Sequence, residues 1–182
     1  MSVPGEASRH GFGPDAVQLL RTTQAIQYQL SQMADTKANI VLAITFVIFS
    51  LSLGQARGGA APPLPLLVMG IAAFVAATLA VMAVLPSVRT PKPGAGGPVN
   101  ILFFGAFSQL PEEEFIETLL AGLGDNRAVF ETFARDIYQN GRVLALKKYR
   151  LLGYAYRVLL LGLFASATAF VVQLVLHWMA AR

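Results

Sequence analysis

The chain has 182 residues, of which 55% are hydrophobic and only 13% charged; 14 Lys and Arg stand against 10 Asp and Glu, and there is no cysteine. A soluble domain carries about a quarter of its residues as charges, so this composition points to a chain that keeps part of itself in lipid and argues against a soluble enzyme. The lack of Cys excludes a disulfide scaffold, a Cys-based metal site and a thiol nucleophile, and His10 and His177 lie too far apart in sequence to suggest a His-rich site.

Residues 1–14 are polar and rich in glycine, without the basic patch and apolar core of a signal peptide, so they read as a flexible N-terminus and the first span as an uncleaved anchor. From Asp15 onward, Leu19, Thr23, Ile26, Leu30, Met33, Lys37, Ile40 and Ile44 alternate spacings of four and three. This predicts a cytosolic helix over 15–37 that continues into the membrane, its stripe covered in a small three-helix bundle within the chain or shared between subunits. Residues 38–54 carry no ionisable group and form the first transmembrane helix, a buried core helix being the lesser alternative for so short a run. The short link from Gln55 to Pro63 favours a hairpin with the second span, 64–85, which is also uncharged. At 1.5 Å per residue the second run crosses a hydrocarbon core of about 30 Å.

Residues 86–99 form a Pro/Gly linker that cannot be helical. In the cytosolic segment 100–151, Pro111 followed by Glu112, Glu113 and Glu114 predicts the first turn of a short helix ending near Leu123, and Asp125-Asn126 predicts the N-cap of another. That helix carries its own stripe, Phe130, Phe133, Ile137, Gly141, Leu144, Lys148, Leu151 and Ala155, and is expected to enter the third span, 152–178, unbroken. His177 and Trp178 fall where an interfacial belt belongs. The fold class is therefore an all-α membrane protein, with three transmembrane helices and a small cytosolic helical bundle formed by extensions of the first and third spans.

Basic residues set the expected topology. Lys37, Arg89, Lys92, Lys147, Lys148, Arg150 and Arg157 lie near span ends on one side, against Arg57 and Arg182 on the other. The N-terminus is then cytoplasmic and the C-terminus periplasmic. All ten acidic residues fall on the cytoplasmic side, so the basic excess reads as topology and not as a nucleic-acid patch. The run Glu112, Glu113, Glu114 and Glu117 reads as a solvated face that complements the helix dipole and not as a metal site. Gly94 to Gly97 sits in the linker with no helix after it, so it is not a phosphate loop, and Ser, His and Asp form no nucleophile arrangement. The expectation is no enzyme, no cofactor and no metal. Small residues in the spans, Ala76, Ala77, Ala80, Gly162, Ala165, Ser166 and Ala169, point to close helix packing. Asp35 and Lys37 stand at the membrane edge; residues two apart on a helix point to different sides, so each is expected to find a partner elsewhere, with Asp136, Arg142 and Lys148 the nearest in kind.

The segment Ala34-Asp35-Thr36-Lys37-Ala38 resembles the signature A-D-x-K-A of the Pycsar transmembrane effector family of bacterial antiphage proteins. Asn100 to Gly105, Leu110-Pro111-Glu112-Glu113, Tyr138 and Lys148-Tyr149 resemble it further in order and spacing, over about 15–175. The resemblance implies an inner-membrane effector, a homo-oligomer, that damages membrane integrity when a cyclic pyrimidine mononucleotide, cCMP or cUMP, is made by a partner cyclase on infection. It directs attention to Asp35, Lys37, Asn39, Asn100, Phe103, Phe104, Lys148 and Tyr149 as ligand or signal-coupling residues. No separate cyclic-nucleotide-binding domain with its β-roll is visible, which leaves reception to the short cytosolic helices or a partner. The alternative is a non-enzymatic membrane scaffold or accessory subunit that binds a partner protein through the same helices.

Overall fold

The computed structural model describes residues 13–56, 63–86 and 100–182, and these are almost wholly helical, with no strand among them. The helices are α1 (Pro14–Ala56), α2 (Leu64–Val84), α3 (Phe104–Phe107), α4 (Glu112–Leu123), α5 (Asn126–Val143), a π-helical turn (Leu144–Tyr149) and α6 (Arg150–Ala180). Three helical stretches, Pro14–Gln55, Leu64–Val84 and Asn126–Ala180, are long and apolar enough to cross a membrane. The sequence readings of the N-terminal 1–12, the hairpin link 57–62 and the linker 87–99 lie outside the described residues.

Local signals set the helix ends. Pro65 occupies the first turn of α2, where a missing N–H costs nothing, and Leu85, pushed out of the helical region by Pro86 (φ −56°, ψ 126°), ends it. Pro111 precedes α4, whose first turn holds Glu112, Glu113 and Glu114, all exposed. Asp125 caps α5: its Oδ1 accepts the Arg127 N–H at 3.0 Å.

The chain divides into two compact units. Among described residues the first holds 13–28 and 100–141, the second 29–56, 63–86 and 142–182. In the first unit, Gln27 Nε2 donates to the Ile137 carbonyl at 2.9 Å, and the Phe107 and Phe115 rings tie α3 to α4 with centroids 5.2 Å apart. Asn100 Oδ1 accepts the Leu102 N–H at 3.1 Å, a side-chain turn that starts the chain toward α3.

In the second unit the core is made of small side chains. Ala38 and Val41 of α1, Ala76 and Ala80 of α2, and Leu152 and Ala155 of α6 form its buried cluster. Along α2 every buried residue is Pro, Gly or Ala: Pro65, Gly70, Ala73, Ala76, Ala80 and Ala83. Lipid removes the hydrophobic drive between helices, so contact must come from close backbone approach, which small residues allow. Gly162 sits so close to α2 that an added Cβ would stand 2.1 Å from the Ala72 Cβ. Of the seven small residues read from the sequence, Ala76, Ala80 and Gly162 are buried, Ser166 donates to the Pro65 carbonyl at 2.7 Å, and Ala165 is exposed. Thr45, 1% exposed, returns its hydroxyl to the Val41 carbonyl, and Ser52 donates to Ile48 and, at 3.3 Å, to Leu66 on α2.

The covered face of α1 is not the stripe expected from the sequence. Leu19, Ile26, Leu30, Met33, Ile40 and Ile44 are all exposed on this chain, and so is Lys37; the covered residues are Ala34, Ala38, Val41 and Thr45. Within the span, Ile40 and Ile44 mark the outer face and Ala38, Val41 and Thr45 the inner one, which follows from packing among helices in lipid. The second stripe, from Phe130 to Ala155, is half-buried or buried throughout. Its helix does continue from Asn126 to Ala180, but through the π turn and not as a uniform α-helix.

Candidate functional site

Each unit holds one polar centre. In the first unit it is Asp136, 7% exposed. Asn100 Nδ2 and Asn140 Nδ2 donate to its Oδ1 at 3.0 and 2.9 Å, and Gln24 Nε2 donates to its Oδ2 at 3.2 Å. Asn140 lies one turn beyond Asp136 on α5, so helix geometry alone presents that amide. Gln24 comes from α1, and Asn100, 4% exposed, from the turn before α3. Three neutral amides thus divide one carboxylate's charge, and a single side chain holds three chain segments.

In the second unit the centre is Lys148, in the π turn. Its ammonium donates to both Asp35 oxygens, at 2.7 and 2.8 Å, and to Ser31 Oγ at 2.8 Å. Ser31 and Asp35 are four apart on α1, which sets hydroxyl and carboxylate on one side of that helix. Side-chain exposure is 21% for Lys148 and 42% for Asp35, so water reaches the pair. The neighbours of Lys148 are engaged as well: Tyr149 OH donates to the Leu30 carbonyl at 3.2 Å, and Lys147 Nζ donates to the Leu85 carbonyl at the end of α2. Two consecutive residues hold α1 and the one before them holds α2.

The sequence-derived site residues fall as follows. Asp35, Lys148 and Tyr149 come together in the second unit; Asn100 lies in the first. Phe103 is half-buried against Gly105, its ring centroid 5.1 Å from that of Phe104 in a tilted contact, and Phe104 is 57% exposed. Lys37 and Asn39 are exposed on α1, the Lys37 carbonyl accepting from Tyr156 OH at 3.4 Å. Asp35 finds a partner in Lys148, one of the three groups named for it. Gln24, Ser31 and Asn140 are site residues that the sequence reading does not include. A signal for the first two existed: Gln24, Gln27, Ser31, Ala34, Ala38, Val41 and Thr45 continue one polar-to-small face along α1.

Among the spans, a cleft of about 300 Å³ is lined by Phe49, Ser52, Leu53, Leu67, Gly70, Ile71 and Phe74. Its walls are apolar apart from one hydroxyl and hold no group for acid, base or metal chemistry.

A family model described as the Pycsar effector protein domain matches residues 18–176. No curated protein and no solved structure matches the chain.

Proposed function

The chain belongs to the Pycsar effector family and is a membrane protein of Pycsar antiphage defence; on that premise we propose that it sits in the inner membrane as a homo-oligomer and breaks membrane integrity when a cyclic pyrimidine mononucleotide, cUMP or cCMP, reaches it. The observation that carries this reading is that one chain, within a single family match, holds three membrane-capable helices and also a unit organised around the buried Asp136. The helices do the work by repacking, and the protein is not an enzyme. Signal reception falls to the first unit, where Asn100 and Gln24 hold Asp136, or to a partner docked there. The N-terminus faces the cytoplasm and the C-terminus the periplasm, as the basic-residue asymmetry of the sequence supports.

Self-association is supported by the outward stripe of α1. Leu19, Ile26, Leu30, Met33, Ile40 and Ile44, with Thr23 and Lys37 in the two gaps, keep a three-four spacing, the period at which parallel helices supercoil. Copies in one membrane share their orientation, so these stripes meet at equal depth.

The test is calorimetric titration of the purified protein with cUMP, cCMP and cAMP, followed by dye release from liposomes holding it. Binding of a pyrimidine nucleotide with release that depends on it is the expected result. Release without nucleotide, or none with any, overturns the trigger. A reporter fused after Arg182 is expected to be periplasmic. The scaffold reading keeps one supporting observation: Ile116, Leu120 and Leu123 form an exposed apolar ridge on α4 that a partner protein could cover. A chain that never depolarises cells yet is retained by one such partner would favour it.

A further inference from the structure

The π turn lies inside an otherwise regular helix. The residues on either side, Val143 (φ −61°, ψ −44°) and Arg150 (φ −66°, ψ −49°), are both helical, and only Leu144–Tyr149 takes the wider winding. A π turn closes i→i+5 bonds and so houses one residue more than the α-helix around it. That geometry is poorer than α, and within an uninterrupted helix it persists only where tertiary contacts hold it. Such contacts exist here: Lys147, Lys148 and Tyr149 are three consecutive residues of the turn, Lys147 donating to the C-cap of α2 and the other two to α1. Lys148 makes the strongest set, a two-oxygen contact with Asp35 plus Ser31. This contact is partly open to water, so an anion or a change in α1 can compete for it.

We propose that the π turn is a register device for the third span, clamped by Lys148 on Asp35 and Ser31. Released, the turn relaxes to α and α6 advances by one residue's phase, about 100° about its axis. Within the second unit, the face of α6 made by Leu152, Ala155 and Gly162 then gives way to its sequence neighbours against α1 and α2. The proposal needs no particular trigger and goes beyond the defence reading: it concerns which face of α6 is covered.

The chain has no cysteine, so single cysteines report position cleanly. Ala155 is fully buried, while Tyr154 and Tyr156 on either side are 46% and 40% exposed. In separate variants of the full chain in native membranes, Ala155→Cys, Tyr154→Cys and Tyr156→Cys are labelled with a membrane-permeant maleimide. In the parent, position 155 is expected to be several-fold slower than both neighbours. With Asp35→Asn, or with Lys148→Met as a second way to open the clamp, position 155 is expected to speed up and one neighbour to slow, their rate ratio changing about two- to fivefold. Simple loosening would speed 155 and slow neither, and that pattern overturns the proposal, as does no change. The complementary variant deletes Ala145, removing the extra residue so that the turn is α while α6 keeps its phase. Combined with Asp35→Asn it is expected to retain the parental labelling pattern; an exchange of faces in that background would also overturn the proposal.

Discussion

The two carboxylates at the centres of this molecule are handled in opposite ways. Asp136 is nearly sealed and shared among three neutral amides from three chain segments, whereas the Asp35 side chain is 42% exposed and meets one ammonium. Charge-assisted bonds inside a protein are worth more than in water, and the groups left behind are costly when a partner goes. An ion pair that water reaches contributes about 0–1 kcal/mol and weakens with salt. The first centre therefore fixes a structure, and the second can be opened without unfolding what surrounds it.

The largest effect that would sharpen this contrast is expected at Asp136. Asp136→Ala leaves three amide groups without their acceptor and should destabilise the first unit by about 3 kcal/mol, read as a lowered midpoint in detergent unfolding followed by circular dichroism. Asp136→Asn keeps the shape but turns one acceptor into a donor facing other donors, with an expected cost of about 1–2 kcal/mol. Gly162→Val probes the second unit's packing in place of its ion pair. The new Cβ meets Ala72, whose own Cβ is fixed to backbone, so a loss of about 1–3 kcal/mol is expected in the same assay. Asp35→Asn should cost about 0.5 kcal/mol or less, and raising salt to about 1 M should erase its difference from the parent while leaving that of Asp136→Ala in place. Should Asp35→Asn prove as costly as Asp136→Ala, the division between a fixed and an openable centre fails.

These differences also mark what could be read from the chain. The spans were legible because lipid excludes charge, and 38–54 and 64–85 have none; the starts of α4 and α5 were legible because Pro111 and Asp125 act locally. Which face of α1 packs within the chain is not legible from hydrophobicity along the span. In lipid the contrast between apolar and polar vanishes, and size takes its place: Ala34 and Ala38 go in while Ile40 and Ile44 stay out. Asp35 and Lys148 were both singled out, and one was named as a possible partner of the other. The π turn was illegible, since one extra residue between Leu144 and Tyr149 leaves no mark on composition or spacing until Lys148 is seen to reach α1. The sequence offers Asp136 only as a candidate partner for the Asp35 and Lys37 pair, because its role as a centre lies in burial, and burial depends on Asn100, 36 positions away.

The close approach at Gly162 has a mechanical consequence. Only a hydrogen fits between its backbone and Ala72, and the residues on either side are Leu161 and Leu163. Any turn of α6 that brings a neighbour into that place must spread the two helices by the width of a leucine side chain. The protein's cross-section in the plane of the bilayer then grows, and the work of growing it is done against the lateral pressure of the lipids. Lipid composition thereby becomes a thermodynamic variable of this chain: tightly packed, ordered bilayers favour the narrow arrangement, and loosely packed ones lower the cost of the wide one.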